Sequence, residues 1–174
     1  MTVAAVVLAA GEASRYGAPK QRLLLPEVLR SLATTPVDEV VVVAGAHPLE
    51  LPQGLEAQLV RCAEWEQGPG ASLRCGLDAL ADEVAVAVVV LADGPDLAPE
   101  AIARVLGAQR ESGADVVAAS YRGDRGHPLA LARAAWDDIP NAGLRVRDVL
   151  LVPCDDLGAP GDVDTPADLP ERLR

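Results

Sequence analysis

The sequence of 174 residues contains no phenylalanine, and aromatic residues make up only 2% of it. Its four aromatic side chains, Tyr16, Trp65, Tyr121 and Trp136, are spread along the chain. Proteins that bind single-stranded nucleic acid stack successive bases on aromatic side chains. So few aromatics exclude such a platform.

Positive charge is also scarce, with 15 Lys and Arg against 26 Asp and Glu and a formal net charge of −11 at pH 7. A protein that binds duplex nucleic acid or an anionic membrane surface needs a basic face. The composition therefore predicts neither kind of partner. Any anionic ligand must be held by a local group of cations or by a metal ion.

The cysteines are three, Cys62, Cys75 and Cys154, and no pair has the C-x-x-C spacing. This odd number, without metal-binding spacing, indicates neither a zinc site nor a disulfide framework. We expect all three to be small, partly buried apolar residues.

Long apolar runs are missing as well. The longest, over residues 84–92, is far shorter than the roughly 20 residues that span a membrane. No Lys or Arg precedes the apolar start of the chain, so a signal peptide is not indicated. We expect a cytoplasmic protein with one domain over residues 1–174.

Short valine-rich runs alternate with amphipathic segments along the chain. The predicted strands are 3–9, 39–44, 58–62, 84–92, 115–120, 127–132 and 150–152, and the predicted helices are 28–32, 71–81, 99–111 and 165–173. Several of these strands are apolar at every position, which is typical of a parallel sheet covered by helices on both faces. The pattern predicts a three-layer α/β/α domain with a mostly parallel sheet. Ligands of such sheets bind beyond the carboxyl ends of the strands.

The segment that follows the first strand combines glycines with cations. Gly11 and Gly17 permit tight turns in which backbone N–H groups approach a ligand, and Arg15 and Lys20 supply positive charge. This combination can cradle a triphosphate. The loop matches neither G-x-G-x-x-G nor G-x-x-x-x-G-K-[ST], so it is not a dinucleotide fingerprint or a Walker A loop.

Residues 8–20, L-A-A-G-E-A-S-R-Y-G-A-P-K, resemble the L-A-A-G-x-x-x-R-x-G-x-P-K signature of the molybdopterin nucleotidyltransferases, the MobA/MocA-like NTP transferases. Four further segments resemble that family's motifs in the same order: 69–76, 91–95, 125–128 and 162–169. The resemblance implies a Rossmann-like nucleotidyltransferase fold. It also implies transfer of a nucleoside monophosphate from a triphosphate to a phosphorylated acceptor, with pyrophosphate released.

The resemblance implies molybdopterin as the acceptor, and transient contact with a molybdoenzyme would follow. Members of the resembled family that transfer CMP tend to have alanine at the position of Ala10, whereas members that transfer GMP tend to have glycine there. The resemblance therefore favours CTP. The nucleotide-binding residues implied are Leu8, Ala9, Ala10, Gly11, Arg15, Lys20, Ser72 and Gly76. Arg145 resembles an acceptor contact of the family.

Carboxylates complete the predicted site. Asp93 directly follows a buried strand, and a carboxylate beside a triphosphate requires a cation between the two anions. Mg²⁺ suits this position, because it is usually held by one or two carboxylates together with phosphate oxygens. We expect Asp93 and Asp164 to be the metal ligands, with Asp162 as an alternative to Asp164. Arg15, Lys20 and Asp93 are the predicted catalytic residues.

The chain departs from the family pattern at two places. Gly94 stands where the family usually has glutamine, and the segment after Lys20 is shortened, so Arg22 could take over a contact. Two alternatives stay open at this point. One is a sugar-1-phosphate nucleotidyltransferase, and the other is a catalytically weak carrier that binds a nucleotide or molybdopterin.

Overall fold

The computed structural model describes residues 1–12, 16–17, 20–144 and 148–174. Its centre is a seven-stranded sheet whose strands are β1 (Thr2–Ala9), β2 (Glu39–Ala44), β3 (Gln58–Arg61), β4 (Val84–Leu91), β5 (Val116–Tyr121), β6 (Asp124–Ala132) and β7 (Leu150–Pro153). The α-helices of the described part are α1 (Gln21–Leu32), α2 (Pro69–Asp78) and α3 (Pro99–Ser112).

The strand order is β3-β2-β1-β4-β6-β5-β7, and neighbouring strands are parallel except on either side of β6. Strand β6 is antiparallel because a two-residue turn, Arg122 and Gly123, returns the chain beside β5. Both turn residues have positive φ, 55° and 82°, which suits the right-handed twist of a hairpin. The predicted α/β fold with a mostly parallel sheet is confirmed.

Helices cover both faces of this sheet. Helices α1 and α3 pack on one face against residues such as Ala5 and Val7, while α2 packs on the other against Ala4 and Val6. Since neighbouring residues of a strand point to opposite faces, both sets must be apolar. This explains why the central strands read as continuous runs of Val and Ala.

Helix α1 begins at Gln21, seven residues before the predicted start, and it contains Pro26. A proline inside a helix removes one N–H donor and usually ends or kinks the helix. Here the buried face of α1 offsets that loss, and its apolar members are Leu24, Leu25, Val28, Leu29 and Leu32.

The predicted terminal helix over 165–173 is wrong. The structure has two single turns of 3-10 helix there, Pro166–Asp168 and Glu171–Leu173. Pro170 separates them, because the residue before a proline is disfavoured in helical conformation. Leu169 accordingly adopts an extended conformation, with φ −60° and ψ 130°.

The expectation of three unpaired cysteines is also wrong. Cys62 and Cys75 form a disulfide, and only Cys154 is a buried free thiol. The N–H of Cys62 extends the β2–β3 pairing by donating to the carbonyl of Ala44. That pairing leaves Cys62 facing α2, where Cys75 lies 5.8 Å away between Cα atoms. None of the described helices is long and apolar enough to cross a membrane.

Candidate functional site

Two adjoining cavities lie beyond the carboxyl ends of the central strands. The first measures about 430 Å³ and the second about 650 Å³. Leu8, Pro69 and Leu91 line both of them, so a ligand in one can reach a ligand in the other. The first cavity brings together these residues predicted from the sequence: Leu8, Ala9, Ala10, Gly11, Lys20, Ser72, Asp93 and Asp164.

Lys20 is the charged centre of the first cavity. It directly precedes α1 and is only 7% exposed. Its Nζ lies 3.1 Å from Asp93 Oδ2 and 3.6 Å from Asp164 Oδ1, and it also donates to the carbonyl of Val163. A buried ammonium is stable only when it is paired and hydrogen-bonded. The three oxygens around Nζ meet that requirement.

The backbone holds the two carboxylates side by side. The N–H of Ala92 donates to Leu8, which carries the β1–β4 pairing on to Asp93, and the carbonyl of Asp93 accepts from the N–H of Val163. The buried side chain of Val163 packs with Leu24 of α1. Asp164 is thereby fixed next to Asp93, although the two residues are far apart in the sequence.

This carboxylate pair is suited to a divalent cation. It already holds a cationic group, Lys20 Nζ, between its oxygens. Among the described residues no cluster of three His, Cys, Asp or Glu could hold a metal ion unaided. Mg²⁺ commonly takes one or two carboxylates and completes its octahedron with water and substrate phosphates, so the donor set present fits that ion when a phosphate is bound.

The structure separates the two aspartates that were alternatives for the second metal ligand. Asp164 lines the first cavity together with Asp93, whereas Asp162 lines the second cavity. Asp164 does not cap the following turn, because Thr165 is the N-cap residue there. The Thr165 N–H and hydroxyl both donate to the Asp168 carboxylate, which lowers the pKa of that carboxyl.

The start of α2 forms another wall of the first cavity. Ser72 lies in its first turn and is 4% exposed. Backbone N–H groups at the start of a helix commonly serve an anionic ligand. Here they are engaged within the protein, since the N–H of Gly70 donates to Asn141 and those of Ala71 and Ser72 donate to Gly68.

Some predicted residues lie elsewhere. Gly76 lines neither cavity, because it is buried where α2 crosses Val6 and Val43. Arg22 is exposed and donates to the carbonyl of Pro48, outside both cavities. Arg15 and Arg145 lie outside the described residues.

Among the residues of the first cavity that sequence reasoning missed are Gln21 and Trp65. Gln21 Nε2 donates to the carbonyl of Gly11 at 2.8 Å, while its buried Oε1 has no hydrogen-bond partner among the described residues. The sequence did offer a signal for Gln21, because this residue directly follows Lys20, which was already assigned to the site. No local signal marks Trp65, which reaches the cavity only through the pairing of the strands.

The second cavity is lined mainly by apolar groups, with Tyr121, Arg125 and His127 among its polar members. Burial raises the pKa of Tyr121 to about 12, and its hydroxyl donates to the carbonyl of His127. Gly94 also lies here, and a Cβ at this position would stand 3.0 Å from Pro160 Cβ. Pro160 thus fills part of the space next to residue 94 that a glutamine side chain would need.

The sheet is mostly parallel, and a glycine, a buried lysine and two carboxylates meet at its carboxyl edge. This combination of fold and site places the chain in the class of α/β nucleotidyltransferases. More narrowly, the chain belongs to the family described as the MobA-like NTP transferase domain, whose model matches residues 5–151. No curated protein matches the chain.

Solved structures share the fold of this chain. A homologue of Mycobacterium tuberculosis Rv0371c from Mycobacterium sp. strain JC1 is 28% identical over 98% of this chain and 94% of its own, with a TM-score of 0.78. Rv0371c from M. tuberculosis H37Rv in complex with manganese is 22% identical, with coverage of 97% and 96% and a TM-score of 0.73. CMP:2-keto-3-deoxy-manno-octonic acid synthetase with CTP is 15% identical, with coverage of 96% and 95% and a TM-score of 0.69.

Proposed function

We propose that this protein transfers CMP from CTP to a phosphorylated acceptor of the molybdopterin type and releases pyrophosphate. The observation that carries the proposal is the position of Lys20 Nζ between Asp93 and Asp164 at the floor of the first cavity. One cation and two carboxylates at the carboxyl ends of β1 and β4 suit a triphosphate bound with a divalent ion.

The chemistry is an in-line displacement. An oxygen of the acceptor phosphate forms a bond to the α-phosphorus of CTP, the bond from that phosphorus to the bridging oxygen breaks, and pyrophosphate leaves with the electron pair. Such a reaction depends on positioning and on stabilising negative charge, so it needs no covalent intermediate on the protein.

The protein's own groups divide this work. Lys20 donates to phosphate oxygens, and the backbone of the loop at Gly11 together with Arg15 holds the rest of the triphosphate. Asp93 and Asp164 would hold Mg²⁺, and a divalent ion there would supply charge that neutralises the phosphates and makes the phosphorus more electrophilic. A manganese complex of Rv0371c supports a divalent ion in this fold.

The acceptor occupies the second cavity, which adjoins the first at Leu8, Pro69 and Leu91. Its mainly apolar lining suits a flat heterocycle better than a sugar, whose hydroxyls would need many polar partners. Arg145 is the proposed contact to the acceptor. The product would pass to a molybdoenzyme through a transient contact. CTP is favoured over GTP because Ala10 resembles the residue of CMP-transferring members.

Pyrophosphate release with CTP and molybdopterin tests the reaction. Removing one group that stabilises transition-state charge typically lowers turnover by about a hundredfold or more. We expect this loss in Lys20→Ala and Asp93→Asn, while Arg22→Ala, an exposed cation outside the cavities, retains the rate of the unmodified protein. Undiminished release by Asp93→Asn contradicts the proposal, and CTP binding without any release indicates the carrier alternative.

A pair of matched variants tests the metal ligands. Asp164→Asn is expected to weaken Mn²⁺ binding in the presence of CTP, as measured by electron paramagnetic resonance. Asp162→Asn, which changes a carboxylate of the second cavity, leaves Mn²⁺ binding unchanged. The reverse pattern would assign the metal to Asp162.

A further inference from the structure

One aromatic side chain, that of Trp65, lines the first cavity. Trp65 follows β3 in a single turn of 3-10 helix, Trp65–Gln67, and its side chain is half-buried. Of the described residues that line this cavity, Trp65 alone is aromatic. Its ring is the largest flat surface that these residues offer to a ligand.

The base of the Trp65 side chain packs closely against the backbone at the ends of β1 and β2. A Cβ built on Gly45 would stand 2.7 Å from both Cβ and Cγ of Trp65 and 2.8 Å from Cβ of Ala10. Only a glycine therefore allows Trp65 to lie against the backbone just after β2. A ring fixed before the ligand arrives loses little conformational entropy on binding.

Trp65 and the charged groups lie at different places along the carboxyl edge of the sheet and line the same cavity. Trp65 lies against the end of β2, and Asp93 follows β4, with β1 between these two strands. Neighbouring strands are about 4.8 Å apart, so the two groups are separated by roughly 10 Å along the cavity. A triphosphate at Lys20 and Asp93 leaves its base in the neighbourhood of Trp65.

Competing backbone donors for the base are not available at the start of α2. In the described segment 68–72, every residue that has a backbone N–H already donates it, Gly68 to Trp65, Gly70 to Asn141, and Ala71 and Ser72 to Gly68. Recognition of the base through these backbone groups would cost hydrogen bonds that hold α2. Stacking on the indole costs none.

We propose that the nucleobase stacks on Trp65 and that this contact supplies much of the affinity for the nucleoside part of the substrate. The inference rests on the proposed function, because it takes a nucleoside triphosphate as the ligand. The scarcity of aromatic residues excludes a platform that stacks several successive bases, but a single base needs only one ring.

The sequence offers a direct optical readout, because it contains only two tryptophans. Trp136 packs against the Arg133 guanidinium, 4.6 Å from its ring centre, and lines neither of the two cavities. In a Trp136→Phe variant, Trp65 is the sole tryptophan. We expect CTP to change the fluorescence of this variant, whereas tripolyphosphate, which has the phosphates but no base, leaves it unchanged.

Calorimetric titration of Trp65→Leu gives the decisive comparison, since leucine keeps apolar packing but removes the ring face. We expect the Kd for CTP to rise by about tenfold to a hundredfold, the usual value of one base–aromatic stack. Trp65→Phe retains most of the affinity, and the Kd for tripolyphosphate stays the same in both variants. Circular dichroism verifies that each variant is folded.

These experiments distinguish failure of the stacking proposal from failure of the proposed function. If Trp65→Leu binds CTP and tripolyphosphate as the unmodified protein does, the stacking proposal is overturned while the proposed function stands. Equal weakening of both ligands also overturns it, because the effect then lies in the shape of the site and not in the base. If the unmodified protein binds no nucleoside triphosphate, both the proposed function and this inference are overturned.

Discussion

Substitution of Gly76 tests quantitatively how closely α2 packs against the sheet. A Cβ at this position would stand 2.5 Å from Val6 Cγ1 and 2.8 Å from Val43 Cγ2, and both valines are completely buried. Neither valine can withdraw without disturbing β1 or β2. Gly76→Ala therefore overpacks the interface, which typically costs about 1–3 kcal/mol.

A second glycine within a helix provides the matched control. Gly107 lies within α3, and a Cβ there would meet no atom within 4 Å. Both substitutions gain the same helix propensity, about 0.5–1 kcal/mol over glycine. We expect Gly107→Ala to raise the free energy of unfolding by that amount, so the difference between the two variants isolates the clash at about 1–3 kcal/mol.

Urea unfolding followed by circular dichroism measures both variants. The m-value should be unchanged, since only stability and not the exposed surface is altered. Equal stability of Gly76→Ala and Gly107→Ala would refute the reasoning. The resemblance implies instead that Gly76 contacts the nucleotide, and that role predicts weaker CTP binding by Gly76→Ala with no loss of stability.

Three further predictions concern other parts of the molecule. Burial raises the folded-state pKa of Tyr121 to about 12, against an ordinary 10.0. The contribution of the neutral phenol to the free energy of unfolding is therefore complete below pH 10 and is lost as the pH rises through 12. Phenolate absorbance should show this titration, and the Tyr121→Phe variant, which leaves only Tyr16, should abolish it. Replacing both Cys62 and Cys75 by serine opens a loop with a sequence separation of 13, and we expect a loss of about 3 kcal/mol in unfolding free energy; full stability in the double variant would contradict this. The Arg104 guanidinium, which donates to both oxygens of Asp156, lowers the pKa of that carboxyl, and nuclear magnetic resonance titration of Arg104→Met should find it returned towards its ordinary value.

The core strands were predictable because a sheet that helices cover on both faces buries every residue of its central strands. Such strands must therefore be apolar throughout, and the sequence shows this directly. Strand β2 has the predicted bounds, and β1 and β4 each differ from prediction by one residue. A run such as Val84–Leu91, with eight residues and mostly valine, favours a buried strand over a buried helix. The loop at Gly11 and the aspartate after β4 were predictable for a similar reason, since parallel sheets bind ligands at their carboxyl ends.

Local rules failed where packing opposes them. The predicted helix began only at residue 28, whereas α1 begins at Gln21 and continues through Pro26. The leucines on both sides of Pro26 are buried, and their burial outweighs one lost hydrogen bond. In the C-terminal segment the opposite holds, since most residues of 165–173 are exposed and Pro170 is free to end the helical conformation. The same residue type therefore had different consequences at the two positions.

The sequence by itself determined the class of fold, the order of the strands along the chain and the residues that follow them, because these depend on periodicity and on local chemistry. Only the tertiary structure decided which distant residues meet. Asp164 rather than Asp162 lies beside Lys20, Cys62 meets Cys75, and Trp65 reaches the first cavity beside Ala10. The pairing of β1 with β2 and β4 and the packing of α2 bring these groups together, and no spacing within the sequence encodes that geometry.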